Sequence, residues 1–184
     1  MFLYSPQYST VFLEGRLDGH KAVYLDQTMA YIKAPSISFG MAFTITCWVK
    51  LLYSVPIYRP ILSVETNSTD KFSIGFNADN QLLLDSWSQG DYNITKSYAL
   101  LPANEWIHVT VTCNQDRVLS FFVNGMKDIS VADVWQGPRS GAFEIGRYKN
   151  ISEEKHRYFH GFLSDLFVFS RALNADEIGR LMGK

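Results

Sequence analysis

Carboxylates, imidazoles, thiols and aromatic rings are the side chains of this sequence that could do chemistry, and their spacing limits what each could do. Glycoside hydrolysis needs two carboxylates, about 5.5 Å apart when the second acts as nucleophile. No string of acidic residues along one strand supplies such a pair, and Glu65, Glu105, Glu144 and Glu153 each lack a partner. His20, His108, His156 and His160 do not fall at metal-ligand spacing, and no Cys-rich or His-rich pattern accompanies them. A nucleophilic triad is a spatial arrangement that no stretch of this sequence announces. Enzymatic function is therefore not expected. Stacking on sugar rings is better provided for, because Trp87, Tyr92, Trp135, Tyr148 and Tyr158 lie in polar, turn-like segments where an aromatic face can reach solvent. Asp165 stands inside the apolar run FLSDLFVF. A carboxylate there is costly unless a cation, backbone N–H groups or a basic side chain such as Arg171 meets it.

The thiols and the asparagines bear on setting. Cys47 shares a strand face with Phe43, Ile45 and Val49, and Cys113 shares one with Ile107, Val109 and Val111, so both sulfurs point into a core. That reading leaves two outcomes open, a disulfide between neighbouring strands or two buried free thiols. Three sequons, at Asn67, Asn93 and Asn150, fall between or at the edges of apolar runs, where a glycan could be carried. Together these features favour an extracellular location.

The elements that must position these groups read as strands. Of 184 residues, 47% are apolar, 15% aromatic and only 19% charged, which excludes disorder and suits one domain with a sizeable core. A net charge of −1 without a basic cluster excludes nucleic-acid binding. The longest weakly polar stretch, 37–49, falls well short of the ~20 residues a membrane-spanning helix needs. Alternation predicts strands over 21–25, 29–33, 44–51, 61–64, 72–77, 81–85, 107–114, 118–123, 126–131, 143–145 and 161–169. In the 44–51 strand, Thr44, Thr46, Trp48 and Lys50 form the face expected to be wet. Asn124-Gly125 fits a two-residue hairpin turn, and Ala78-Asp79-Asn80 joins a second hairpin. A single helix is expected near the end, with Asn174 as cap, Glu177 completing a capping box, and Ile178, Leu181 and Met182 as its apolar face. Many short strands and one late helix give an all-β fold, a two-sheet antiparallel sandwich. Residues 20–184 form the domain, preceded by 1–19 as an extension or extra edge strand.

Seven segments in order carry a family resemblance: AVYLDQTMAYIKAP, FTITCWVK, ILSVETNSTDKFSIGF, NEWIHVTVTC, LSFFVNGMK, FEIGRY and GFLSDLFVFSRALNADEI. Together they resemble the concanavalin A-like jelly roll in its laminin-G/pentraxin branch. The resemblance implies a Cys47–Cys113 disulfide where pentraxins place theirs, and a structural calcium ion held by Asp26 and Asp165. Calcium is the one cofactor it leaves open. The pentraxin calcium and phosphocholine site is not expected. Arg147-Tyr148-Lys149 stands where its second acidic run would be, Asp70-Lys71 matches its first pair only in half, and the signature around the second cysteine is absent.

The function implied is an extracellular recognition or adhesion module within a larger secreted or cell-surface protein. Its partner would be a protein or a glycan, with self-association as a further property and no direct membrane insertion. A structural or oligomerisation module is the alternative, and a glycosidase of the same fold a remote one.

Overall fold

The computed structural model describes residues 11–16, 19–26, 30–38, 40–53, 57–65, 71–88, 90–133, 140–148 and 157–183. Its strands are β1 (Val11–Glu14), β2 (Lys21–Asp26), β3 (Ile32–Ser38), β4 (Phe43–Leu51), β5 (Arg59–Glu65), β6 (Lys71–Phe76), β7 (Gln81–Ser88), β8 (Asp91–Leu100), β9 (Trp106–Cys113), β10 (Leu119–Val123), β11 (Met126–Val131), β12 (Ser140–Ile145), β13 (Arg147–Tyr148), β14 (Arg157–Tyr158) and β15 (His160–Phe169). One helix, α1 (Ala175–Met182), follows. A seven-stranded sheet runs β1-β2-β15-β4-β9-β10-β11, a six-stranded sheet runs β3-β12-β5-β6-β7-β8, and β13 pairs with β14. The expected two-sheet antiparallel sandwich with one late helix is the architecture found.

Period-two alternation builds the core. Phe43, Ile45, Cys47, Val49 and Leu51 of β4 face Phe72, Ile74 and Phe76 of β6 and Leu82 and Leu84 of β7 within one buried cluster. The outer face of β4 departs from expectation. Thr44, Thr46 and Trp48 are buried too, because the chain folds back over them. Thr44 Oγ1 donates to Arg171 O at 2.8 Å and accepts from Leu173 N at 2.9 Å, which lands the C-terminal segment on β4. The Arg16 guanidinium lies 3.8 Å above the Trp48 ring and donates to Met182 O at 2.8 Å, closing the helix end.

Turn chemistry follows the sequence closely. Asn124 and Gly125 have φ of 47° and 77°, as a type I′ hairpin between Val123 and Met126 requires. A Cβ on Gly125 would meet Met182 Sδ at 2.8 Å, so the glycine also admits the helix end. The α1 capping box is complete, with Asn174 accepting from Glu177 N and Glu177 accepting from Asn174 N. The strand expected at 29–33 is β3, which starts at Ile32 and runs through Pro35 to Ser38. Proline is tolerated there because β3 is an edge strand.

Two expectations fail on register. Cys47 pairs with Val109 and Cys113 pairs with Phe43, so the cysteines lie four ladder steps apart on neighbouring strands. That is about 13 Å, against the 4.4–6.8 Å between Cα atoms that a disulfide spans. Both thiols are buried and free, and burial pushes that of Cys113 up to about 11. Asp26 pairs with His160, while Asp165 lies five residues further along β15, about 16 Å away. The expected calcium pair is therefore not assembled, and no cluster of three or more metal-ligating residues occurs among the described residues. Asp165 meets His20 Nδ1 at 3.3 Å and Ser164 Oγ at 2.9 Å instead, and Arg171 is engaged by Glu177.

His108 gives the fold a pH signature. It is buried, shares its Nε2 with Thr46 Oγ1 at 2.8 Å, and has burial and then Arg16 lowering its pKa from 6.5 to about 4. The unfolded chain takes up this proton near pH 6.5, whereas the folded chain refuses it until about pH 4. The contribution is complete above pH 6.5 and is lost as the pH falls toward 4, and it amounts to about 3 kcal/mol. Urea unfolding across that range should show stability falling with acid, and the fall should shrink in His108→Leu; an equal slope in both would refute this assignment.

Candidate functional site

The outward face of the six-stranded sheet carries a cross-strand row fixed by register: Lys33, Glu144, Ser63, Ser73, Asp85 and Ile94. Their inward neighbours fill the core, so alternation turns this polar row outward. The short ladder of β13 and β14 lies across it as a strap. Ser63 Oγ donates to Arg147 O at 2.7 Å, and Arg147 grips Glu144 with two nitrogens, one of them Nε at 2.6 Å. The Arg147 guanidinium also sits 3.6 Å above the Tyr31 ring. Both members of the pair are largely buried, at 12% and 14% exposure, so the strap is held in one position.

Beside the strap opens a cleft of about 400 Å³. Leu83 and Asp85 lie on its floor; Tyr58, Tyr148 and Arg157 line one side, and Tyr92 and Ile94 the other. Tyr58 hydroxyl bonds to Ser73 Oγ, and its ring meets Tyr148 edge-on at 6.1 Å. Burial first, and then the Asp85 charge, push the Tyr58 phenol well above 10 and raise that of Tyr92. Both phenols are thus protonated at neutral pH and able to donate. The cleft offers aromatic faces, hydroxyls, a carboxylate and a guanidinium within one opening.

One border of the cleft is the outer row of β8, where Tyr92, Ile94, Tyr98 and Leu100 are exposed, Tyr98 by 77%. Trp87 pairs opposite Tyr92 across the ladder, with ring centroids 6.1 Å apart. The inward row of this strand is polar, with Thr95 and Ser97 buried. Ser97 Oγ accepts from Leu82 N at 2.9 Å and donates to Ala99 O at 2.8 Å. On β11, Asp128 accepts from Tyr98 N at 2.7 Å and Ala99 N at 3.0 Å, joining the edges of the two sheets.

Behind the cleft, Arg59 is fully buried. It donates to Tyr53 O at 3.0 Å, Asn77 O at 2.8 Å and Asn80 Oδ1 at 2.5 Å. Asn80, at φ 61°, donates in turn to Leu101 O at 3.0 Å. Burial lowers Arg59 to about 10, so it stays cationic at neutral pH and fixes the turn that presents Asn77 and Ala78 to the cleft.

Of the expected ligand aromatics, Tyr92 and Tyr148 line the cleft, Trp87 abuts Tyr92, and Tyr158 pairs with Arg147 in the strap. Trp87 and Tyr92 lie in long strands rather than turns. Trp135, Asn67 and Asn150 lie outside the described residues. Asn93 is half-buried on the inward row of β8, a poor position for an oligosaccharide. Sequence reasoning missed Tyr58, Asp85, Ile94, Tyr98 and Arg157. The available signal was the spacing of Tyr92, Ile94, Tyr98 and Leu100 at even intervals, which marks a strand with one apolar face.

A laminin-G family model, described as Concanavalin A-like lectin/glucanases superfamily, matches residues 26–179. A search of curated proteins by sequence found no match. Among solved structures, the chain is similar to domain 4 of AbnA, a GH43 extracellular arabinanase from Geobacillus stearothermophilus, in complex with arabinotriose. The TM-score is 0.75 at 17% identity, over 95% of this chain and 81% of that one. It is also similar to the botulinum neurotoxin serotype D ligand binding domain in complex with N-acetylneuraminic acid (0.70, 17%, 94% of this chain), spanning only 44% of that chain. The native heptameric SAP-like pentraxin from Limulus polyphemus follows at 0.58 and 17%, over 90% of this chain and 77% of that one. At these identities the likeness is one of fold.

The Arg59 fork generates a stability prediction. Arg59→Lys keeps the charge but cannot reach three carbonyl-type acceptors at once, and should cost roughly 2–4 kcal/mol. Denaturant unfolding measures the loss, and hydrogen exchange should show the Asn80 and Leu101 amides opening first. A variant as stable as the parent would show that the fork does not hold the turn.

Proposed function

The chain belongs to the Concanavalin A-like lectin/glucanases superfamily, and on that premise we propose that it is a recognition module that binds carbohydrate in the cleft beside the strap. The carrying observation is the combination of Tyr58, Asp85, Tyr92, Tyr148 and Arg157 in one opening, with Trp87 next to it. A sugar ring has an apolar C–H face and a rim of hydroxyls. The aromatic side chains suit the first, while the carboxylate, guanidinium and phenols suit the second. The complexes of the arabinanase domain with arabinotriose and of the toxin domain with N-acetylneuraminic acid support a sugar as ligand class.

The reading is one of binding without turnover. Asp85 and Glu144 share the outward row but are separated by two intervening strands, about 14 Å in ladder spacings, and Arg147 holds Glu144. Glycosidase carboxylates stand 5–9.5 Å apart. An extracellular setting, within a larger secreted or cell-surface protein, fits the sequons at Asn67 and Asn150 and the extracellular arabinanase among the similar structures. No described helix is long and apolar enough to cross a membrane. A second reading, contact with a protein, is favoured by Tyr98, Leu100 and Met126, which are exposed at the edge where β8 and β11 meet.

A glycan array probed with the chain, with and without chelator, is the direct test. Binding should survive chelation, because the cleft supplies its own polar groups. Tyr92→Ala and Asp85→Asn should each weaken a bound glycan about ten-fold or more, whereas Tyr98→Ala should affect protein capture instead. A blank array, or glycan binding indifferent to both cleft variants, would overturn the carbohydrate reading.

A further inference from the structure

A second opening lies on the other flank of the sandwich and shares no residue with the cleft. β15 pairs with β2 only as far as Leu163 opposite Val23. It then bulges between Ser164 and Phe167, and its remaining ladder is to β4 alone. Asp165 sits in the bulge at φ 51°, a left-handed conformation that costs a non-glycine residue free energy and that Asp and Asn tolerate best. Ser164 Oγ still donates to Lys21 O at 3.2 Å, and beside the bulge lies a pocket of about 460 Å³ lined from both sheets.

The lining is almost wholly hydrocarbon. Phe12 enters from β1, Lys21 and Val23 from β2, Ile32 and Ala34 from β3, Phe143 and Ile145 from β12, and the rest comes from the Leu163–Val168 segment of β15. Its two charged side chains already have partners. Lys21 is paired with Glu14 across the β1–β2 ladder, and Asp165 is met by His20 at 3.3 Å and Ser164 at 2.9 Å. A charged ligand head would lose hydration against the apolar lining, and both charged side chains at its edge are already engaged by neighbours. Water in such a space has few partners and is displaced by apolar groups at little cost.

We infer that this pocket is a binding site for an uncharged ligand with a hydrocarbon body, held by burial of that body between β3, β12 and β15. Its volume lies within the range of small-molecule sites.

The test uses three probes that differ only in the head group, 1-octanol, octanoate and octylammonium, titrated into the full chain and followed by saturation-transfer NMR. 1-Octanol should bind roughly ten-fold more tightly than either ion. Ala34→Leu, which fills the pocket, should weaken 1-octanol about ten-fold, and Phe12→Ser, at an exposed edge position, by about three-fold. Far-UV circular dichroism and glycan binding should be unchanged in Phe12→Ser, which keeps the test valid if Ala34→Leu fails to fold. No 1-octanol binding, equal affinity for the three probes, or indifference to Phe12→Ser would overturn the assignment.

Discussion

The Arg147–Glu144 pair is the interaction on which the recognition face depends. Glu144 points outward near the end of β12, and a carboxylate so little exposed would be costly alone. Arg147 removes that cost with a two-pronged bond, stacks on Tyr31, and lends its carbonyl to Ser63. A two-stranded ladder of four residues could not hold itself in place. Because the pair fixes β13, it also fixes where Tyr148 and, through the ladder, Arg157 stand over the sheet. A hydrophobic substitute could seal the same surface, but it would not specify one position for the strap. Here the ion pair supplies geometry more than stability.

The opposite border of the cleft rests on an inversion. Strand β8 turns Tyr92, Ile94, Tyr98 and Leu100 to solvent and Thr95 and Ser97 to the interior. Burying hydroxyls there is tolerable because the backbone takes them up: Ser97 replaces a missing ladder bond to Leu82, and Gln81 Nε2 reaches Ser97 O at 2.7 Å. Asp128 then binds the N–H groups of Tyr98 and Ala99, which satisfies two donors of this edge strand. The polar interior is what permits an apolar exterior on an edge strand, and the exposed strip is therefore built rather than left over.

This inversion also explains what the sequence could and could not tell. Strands with apolar residues inside, such as β4, β6, β7 and β9, were legible from alternation, and so were the Asn124-Gly125 turn and the Asn174 cap, where local chemistry dictates the backbone. β8 carries the same alternation with its sides exchanged, so the pattern could mark the strand but not that its apolar row faces outward. The wet face assigned to Thr44, Thr46 and Trp48 failed for a related reason. Whether a strand's outer face meets water depends on what the chain later lays across it, here Arg16 and the segment leading into α1. The disulfide and the calcium pair failed on register: face was readable for Cys47, Cys113, Asp26 and Asp165, but position along the ladder was not. Of the expected ligand aromatics, Trp87 and Tyr92 come together by pairing and Tyr148 reaches the same cleft by the strap, while Tyr158 lies on the other side of that ladder, opposite Arg147.

Strand β12 ties the two openings together. Its alternation sends Glu144 outward to anchor the strap, and Phe143 and Ile145 inward to line the apolar pocket. A pleated strand cannot shift one row without shifting the other, because a slip by one residue exchanges the faces. β12 is held on both sides, by β3 and by β5, and its one irregularity, between Gly141 and Phe143, lies before these three residues. The stretch that serves both openings is thus the regular part of the strand. Occupancy of the pocket would press on Phe143 and Ile145 within a stiff ladder, while the charged pair resists displacement of Glu144. The arrangement keeps the two openings rigidly spaced, one lined by aromatic and polar side chains, the other mostly by hydrocarbon.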